Sequence, residues 1–143
     1  MTSNFGITDG ETEQRQVMAA ADEETMAIGS GDVERYFAIL TEDAVFLPPN
    51  LMPLTGKELR QWLRDFLNQV AIEFLQSGHG ETVVARDWAW HEYTCSWRAT
   101  PKSGAPPAVL HFKGAHLIRR APDGKWKLAR NIWNLNPAPS AAA

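Results

Sequence analysis

The second half of the chain changes from a helical to a strand-like pattern at Ala71 and keeps that pattern almost to its end. Five runs of strand-forming residues follow one another, and turn-forming residues separate them. Strands joined by such turns pair antiparallel, so this half predicts one long antiparallel sheet. The runs are AIEFLQS, ETVVARD, WAWHEYTCSWRAT, AVLHFKGAHLIRR and KWKLARNIWNL, and Gly78, His79 and Gly80 are the predicted turn between the first two.

The last two runs form the clearest hairpin. Ala121, Pro122, Asp123 and Gly124 separate them; the proline fixes φ at the first turn position, and the glycine takes the left-handed one. The first strand of this hairpin carries a histidine, His116, whose neighbours of the same parity are uncharged. We therefore predict that His116 faces the apolar side of the sheet.

The length of the hairpin loop decides which residue lies beside His116 on the next strand. A three-residue loop, 122–124, places His116 on the face of Arg130. A two- or four-residue loop places it beside Ala129 and Asn131 instead. The residues of the turn leave both registers open.

The first half of the chain predicts three helices. Good helix formers extend over 10–28, Asp32 caps a second helix, and a capping box from Thr55 to Glu58 begins a third with a broad apolar face. A short strand at 43–47 precedes the third helix and is expected at a sheet edge.

The first helix has two candidate apolar stripes. One stripe contains Val17 and Glu24, whereas a competing stripe through Met18 and Thr25 leaves Glu24 at its edge. The pattern leaves both open, and Glu24 is not expected to have a buried role.

Together these elements predict a single α+β domain over residues 1–143, with its core at about 14–135 and disordered tails at 1–9 and from Asn136 through the terminal alanines. Three helices packed on a strongly curved antiparallel or mixed sheet make a cone-shaped fold that encloses a pocket. Six tryptophans and six phenylalanines supply rings for a core or for a cavity that holds a small apolar molecule. The outer face of the sheet is expected to pair with a second copy as a homodimer.

Composition excludes several classes of function. A net charge of −3 without a cluster of basic residues argues against nucleic acid, and no apolar run is long enough to span a membrane. The polar, acidic N-terminus has no secretory signal pattern, so a cytoplasmic location is expected. His79, His91 and His111 have no metal-ligand spacing, and we predict neither a metal nor a cofactor.

Four segments carry a family resemblance: SGDVERYFAILTEDAVFLPP, LTGKELRQWLRDF, DWAW and DGKWKLARNIWN. In this order and spacing, over about 14–135, the chain resembles the nuclear transport factor 2-like superfamily, in the branch of SnoaL-like polyketide cyclases and ketosteroid isomerase-like proteins. That superfamily includes isomerases, cyclases, dehydratases, epoxide hydrolases and non-enzymatic binding modules. Function must therefore be argued from individual residues.

The resemblance transfers only part of the family's chemistry. Ketosteroid isomerases have an aspartate base where this chain has Pro48 and an oxyanion-binding tyrosine near Glu24, so steroid isomerisation by that mechanism is not expected. SnoaL-like cyclases have a histidine at about the place of His116 and an aspartate near Asn131, so the resemblance favours the hairpin register that places these two residues side by side. Because an asparagine is not a base and cannot hold an imidazolium by charge, His116 must act alone or with another carboxylate.

Glu92 is the predicted partner carboxylate. It shares a strand parity with Trp88 and Trp90, which the resemblance places in the cavity wall, and desolvation among indoles would raise its pKa. The predicted catalytic residues are His116, Asn131 and Glu92. The predicted ligand-binding residues are the aromatic ones at Tyr36, Phe46, Trp62, Phe66, Trp88, Trp90, Phe112 and Trp133.

The predicted function is cofactor-independent proton transfer, of isomerase, cyclase or dehydratase type, on a small apolar carbonyl compound. The alternative is a non-catalytic binding or dimerisation module of the same fold, in which side chains surround His116 and no pocket reaches it. Epoxide hydrolysis would need a water-activating carboxylate beside an arginine, and only Glu92 with Arg98 or Arg130 could approximate that set.

Overall fold

The computed structural model describes residues 10–139, so the predicted disordered segments at 1–9 and at the terminal alanines lie outside the described residues, whereas Asn136 belongs to the last strand of the sheet. Within that range three helices and a six-stranded sheet are formed, and the four long strands follow the last helix, which confirms the α+β class. The elements are α1 (Glu11–Ser30), α2 (Val33–Phe37), β1 (Leu40–Leu47), β2 (Leu54–Thr55), α3 (Gly56–Gln69), β3 (Val70–Ala85), β4 (Trp88–Pro101), β5 (Ala108–Arg120) and β6 (Trp126–Asn136).

The sheet is mixed and has the strand order β2-β1-β6-β5-β4-β3. Neighbouring strands pair antiparallel except β1 and β6, which run parallel. The short strand predicted at 43–47 is β1, which begins at Leu40. Its predicted edge position is wrong, because β2 pairs with its free side through Val45 and Phe46.

The helices pack on one face of this sheet, α1 against β3, β4 and β6, and α3 against β1, β2 and β3. The buried face of α1 contains Val17, Ala21, Glu24 and Ile28, which is the first of the two candidate stripes. The expectation that Glu24 has no buried role is wrong, since only 6% of it is exposed.

The first two runs of the predicted sheet, AIEFLQS and ETVVARD, form one strand, β3, rather than two. Gly78, His79 and Gly80 were predicted as a turn, but β3 continues through them and pairs with β4 along its whole length. The register shifts between Phe74 and Gln76 and again between His79 and Thr82. Glycines inside a strand favour such bulges, which bend the strand without ending it.

The β5–β6 hairpin contains both of the registers that its sequence left open. The backbone N–H of Ala121 donates to the carbonyl of Lys125 at 2.7 Å, so the loop is the three-residue one. Between Leu117 and Ile118 the register then shifts, because Ala129 is an extra residue in β6. Beyond this bulge His116 pairs directly with Asn131.

The two predicted helix caps differ in outcome. The Asp32 side chain accepts a hydrogen bond from the backbone N–H of Arg35 at 3.0 Å, which confirms the cap of α2. Thr55 precedes α3 as predicted, but its side chain makes no capping bond, so the capping box is not formed. In residues 10–139 no helix has the length and apolarity needed to cross a membrane.

Candidate active site

The helices and the inner face of the sheet enclose a cavity of about 240 Å³. Most of its lining is apolar and aromatic, as ligand pockets usually are. The structure brings six of the predicted ligand-binding residues to this cavity: Tyr36, Phe46, Trp62, Phe66, Phe112 and Trp133.

Three predicted site residues lie on the other side of the sheet. Glu92, Trp88 and Trp90 are exposed on the outer face, where the indole N–H of Trp90 donates to Glu92 at 2.7 Å. Their assignment to the cavity wall is therefore wrong. The cause is strand alternation: the resemblance favoured the parity of the two tryptophans, and an error of one residue moves every side chain to the opposite face.

The inner face of β4 carries the other parity, and sequence reasoning missed it. His91, Tyr93, Cys95 and Trp97 all line the cavity. The imidazole ring of His91 lies parallel to that of His116 on β5, with ring centroids 5.3 Å apart, since these two residues are directly paired.

Helix α1 supplies the carboxylate that the sequence could not place. Oε1 of Glu24 lies 2.9 Å from Nε2 of His116, and only 2% of His116 is exposed. Both residues line the cavity. Glu24 therefore holds the imidazole by charge, the role that Asn131 cannot have.

Three further polar side chains surround this pair. The phenol of Tyr36 donates to Oε2 of Glu24 at 2.5 Å, and Nδ2 of Asn131 donates to the same oxygen at 3.3 Å. The phenol of Tyr93 donates to Oδ1 of Asn131 at 2.8 Å. Asn131, predicted as catalytic, thus lies in the cavity wall as a hydrogen-bonding neighbour of the Glu24–His116 pair.

A chain of histidines continues from this pair toward the surface. Nδ1 of His116 lies 3.1 Å from Nδ1 of His91, whose Nε2 lies 2.7 Å from Nδ1 of His79. Nε2 of His79 lies 2.9 Å from a carboxylate oxygen of Asp22. A continuous line of hydrogen bonds thus joins Asp22 and Glu24 of the same helix through three neighbouring strands.

The electrostatics of the site follow from burial and from these contacts. Burial opposes ionisation of Glu24, but the charge of His116 and the hydrogen bonds from His116 and Tyr36 outweigh it, so the pKa of Glu24 is below its usual value. Burial, followed by the charge of Glu24, holds the pKa of Tyr36 well above its usual range. Tyr36 is therefore a hydrogen-bond donor rather than a base.

Two titratable residues of inner β4, His91 and Cys95, are held neutral. Burial, with the charges of His116 and His79, lowers the pKa of His91 to about 4. Burial raises the pKa of the Cys95 thiol to about 12, and the charge of Glu24 adds to that shift. A thiol with this pKa is a poor nucleophile at neutral pH.

Two other chemistries lack the residues they would need. No arginine lies among the residues that line the cavity in the described part of the chain, so the carboxylate–arginine set for epoxide hydrolysis is not formed. Across residues 10–139, no group of three or more His, Cys, Asp or Glu side chains is placed to hold a metal ion. The imidazoles are instead arranged in a line.

A signal for the missed residues was present in the sequence. Glu24 shares a helical stripe with Val17, and a carboxylate at such a position needs a buried cation or donor. His91 was obscured because its neighbours Trp90 and Trp88 are the larger apolar groups. Pairing each buried carboxylate candidate with each strand histidine would have suggested the Glu24–His116 contact.

Comparisons with known proteins identify the family of this chain and other structures with its fold. Residues 21–129 match the model of a family described as the SnoaL-like domain. Among solved structures, a ketosteroid isomerase-like protein from Erwinia carotovora atroseptica is 23% identical, with a TM-score of 0.81 over 90% of this chain and 100% of that one. No curated protein sequence matches.

Two more structures with the same fold are related at lower identity. A protein of the nuclear transport factor 2-like family from Streptomyces avermitilis, provisionally assigned as a dehydratase, is 19% identical, with a TM-score of 0.72 over 90% of this chain and 99% of that one. A nuclear transport factor 2-like superfamily protein from Salmonella enterica is 8% identical, with a TM-score of 0.74 over 92% and 96%. At these identities the likeness shows the fold alone.

Proposed function

Since this chain belongs to the SnoaL-like domain family, we propose that it is an enzyme that moves protons on a small apolar carbonyl compound without a cofactor. The reaction is of isomerase, cyclase or dehydratase type. Neighbours of the same fold are named as isomerase-like and, provisionally, as dehydratases, which supports this range of chemistry.

The observation that carries the proposal is the Glu24–His116 pair in the wall of an apolar cavity. A buried carboxylate bonded to an imidazole can accept a proton from a carbon acid and pass charge to its partner. We assign Glu24 as the group that exchanges a proton with the substrate. His116 is the positioning and charge-balancing partner, because both of its ring nitrogens are already bonded within the protein.

Hydrogen-bond donors near the Glu24–His116 pair would stabilise the negative charge that forms on the substrate. Removal of a proton beside a carbonyl leaves negative charge on oxygen, and donors placed in a dry cavity stabilise that charge. Tyr36, Tyr93 and Asn131 line the cavity, and their donor hydrogens now bond within the group. A substrate oxygen would take over one of these bonds.

The volume of the cavity limits the substrate. An apolar cavity of about 150 Å³ can hold benzene. The cavity of about 240 Å³ therefore suits a compound of one or two rings. Its rings would pack against Trp62, Phe66 and Trp133.

The test uses two-ring ketones that can form an enol, 2-indanone and 2-tetralone. Binding is measured by quenching of tryptophan fluorescence, since Trp62, Trp97 and Trp133 line the cavity. Exchange of α-protons for deuterium in D2O is then followed by NMR. We expect the protein to accelerate exchange of a bound ketone above the buffer rate.

Two matched pairs of variants locate the activity. Glu24→Gln should slow exchange by about 10²- to 10⁴-fold, the usual contribution of a general acid–base group, whereas Glu92→Gln on the outer face should not. His116→Ala should abolish exchange, whereas His111→Ala, which removes a histidine bonded to Ser96, should not. A Glu24→Gln protein with the original exchange rate would contradict the assignment.

The alternative function is a non-catalytic module that binds a small apolar ligand. The observation that favours it is that both nitrogens of His116 are bonded and 2% of the residue is exposed, as in a structural core histidine. The same experiment separates the two functions. A module of this kind would bind the ketones and leave their α-protons at the buffer rate.

A further inference from the structure

The line of histidines connects the buried Glu24–His116 pair to a second carboxylate, Asp22. It contains four contacts between titratable groups: Asp22 to His79, His79 to His91, His91 to His116, and His116 to Glu24. Each contact needs one hydrogen between its two atoms. Three neutral imidazoles carry only three such hydrogens, so full bonding between two ionised carboxylates requires one surplus proton in the chain.

We propose that Asp22, His79, His91 and His116 form a proton relay that connects solvent to the buried carboxylate of Glu24. The relay itself rests on the hydrogen-bonded geometry, and its use in catalysis rests on the proposed function. Its outer end is open, because the side chains of Asp22 and His79 are 55% and 32% exposed. Its inner end is closed, with His91 and His116 almost fully buried.

The transfer can be written so that every hydrogen is accounted for. A proton from solvent first makes His79 an imidazolium, with Nε2–H on Asp22 and Nδ1–H on His91. The Nδ1 proton of His79 moves to Nε2 of His91, and the Nδ1 proton of His91 moves to Nδ1 of His116. His116 is then the imidazolium, and its Nε2 proton can move to Oε1 of Glu24.

No heavy atom moves in this sequence, and all four contacts keep one hydrogen throughout. His79 and His91 end in their Nε2–H tautomers, His116 ends with its hydrogen on Nδ1, and Glu24 ends as a neutral acid. The reverse sequence returns the proton to His79. The relay therefore changes the charge of Glu24 without a water molecule reaching the carboxylate, and it runs along the wall of the cavity, which Asp22, His79 and His91 also line.

The groups packed around the relay favour charge at its two ends. Asp22 and Glu24 of α1 each place a carboxylate at one end, whereas the direct partners of His91 in the middle are the imidazoles of His79 and His116, with the ring of Tyr93 parallel to it. The pKa of His91 is lowered to about 4, so it passes a proton on without retaining it. The other titratable groups near the inner end, Tyr36, Tyr93 and Cys95, all have raised pKa values and stay neutral.

The direct test is nitrogen-15 NMR of the protein labelled at histidine. The chain has four histidines, three in the relay and His111 outside it, so every ring can be assigned with single variants. As pH is lowered from about 8 to about 5, the range in which ordinary histidines titrate, we expect His91 to switch tautomer from Nδ1–H toward Nε2–H and to stay neutral. A His91 ring that keeps one tautomer throughout would overturn the relay.

Variants at the outer end show whether the proton enters there. His79→Leu should make the His91 tautomer independent of pH, and His111→Leu should leave its pH dependence as in the original protein. Asp22→Asn keeps the His79 ring and should reduce the switch, which covers the case that His79→Leu fails to fold. If His91 switches in the Asp22→Asn and His79→Leu proteins as it does in the original, the proton enters by water in the cavity and the proposal is wrong.

The catalytic use of the relay has a separate readout. In the ketone exchange assay, His79→Ala should lower kcat by a larger factor than it changes KM, because His79 also lines the cavity. Added imidazole should restore kcat, which a purely structural role would not allow. If the original protein exchanges no ketone, the proposed function fails while the NMR result still decides the relay. If it exchanges ketones and His79→Ala is as active, the relay has no part in turnover.

Discussion

Strand β4 has an inner face with buried polar side chains and an outer face with exposed aromatic ones. On the inner face His91, Tyr93 and Cys95 are enclosed by helices, and the ring nitrogens of His91 are bonded to protein partners. On the outer face Trp90 and Glu92 bond to each other, and 42% of Trp90 is exposed. A neutral polar cluster therefore lies inside, whereas two of the three tryptophans of β4, Trp88 and Trp90, are exposed outside.

This difference shows that residue type alone does not assign the face of a strand in this fold. A polar group is stable inside when each of its hydrogen-bonding atoms has a partner, and here the partners come from α1, β3 and β5. An indole is tolerated outside because a protein surface always contains apolar area. The following predictions test the contrast, from the largest expected effect to the smallest.

The largest effect is expected from removing the buried carboxylate. Glu24→Ala leaves His116 without its charge partner and should lower the free energy of unfolding by about 3–5 kcal/mol. Glu92→Ala removes an exposed carboxylate and should change it by less than about 0.5 kcal/mol. Urea unfolding of both variants measures the difference, and equal losses would contradict the contrast between the faces.

The next largest loss of stability is expected at Gly114, where the backbone lies close to Tyr93 on the inner face. A Cβ atom on Gly114 would lie 2.6 Å from the phenol of Tyr93 and from the carbonyl oxygen of Ile132. Gly114→Ala should therefore displace Tyr93 from Asn131 and cost about 1–3 kcal/mol. Gly80→Ala is the matched outer variant, because its nearest contact is Cβ of Glu92 at 3.0 Å, and the loss on thermal unfolding should be smaller.

A third prediction concerns acid stability. The pKa of His91 is about 4 in the folded protein, below the ordinary value of 6.5, so the unfolded chain binds more protons between these values. Stability should therefore fall as pH decreases from 6.5 toward 4. The lowered pKa of Glu24 adds a loss that begins below its usual value of 4.5.

The check is urea unfolding at several pH values. His91→Phe should show a shallower decline between 6.5 and 4, and His111→Phe should decline as the original protein does. A decline unchanged in His91→Phe would mean that another group takes up the proton on unfolding.

The smallest effect on the fold is expected at the outer face. Trp90→Ser removes an exposed ring and should change the free energy of unfolding of a single subunit by about 0.5 kcal/mol or less. The homodimer through this face stays a prediction. Sedimentation of the original protein and of Trp90→Ser tests it, and a dimer unaffected by the change would place the interface elsewhere.

The sequence was sufficient for elements with a strong local signal. Strand alternation around His116, the Asp32 cap and the start of α3 depend on neighbours within a few residues, and all of them occur in the structure. The pairing of His116 with Asn131, which the resemblance favoured, also occurs, but not through the loop length that was expected to produce it. It arises from the bulge at Ala129 and not from the length of the loop.

The site depended on contacts that local patterns do not contain. Glu24 and His116 are 92 residues apart, and only the packing of α1 on the sheet brings them together. The prediction of Glu92 failed because one residue of parity decides the face of a strand. The His79 position was hidden because its two flanking glycines resemble a turn when the pairing strand is unknown.

The bulge at Ala129 separates the tip of the β5–β6 hairpin from the cavity. Pairing from Ile118 to the loop follows one register, and pairing from Leu117 toward Gly114 follows another, so each part is fixed by its own bonds. Residues 122–124 could therefore be replaced, lengthened or opened as the new ends of a circularly permuted chain without moving His116 away from Asn131. The hairpin tip is a place where a reporter or a tether could be attached to this protein.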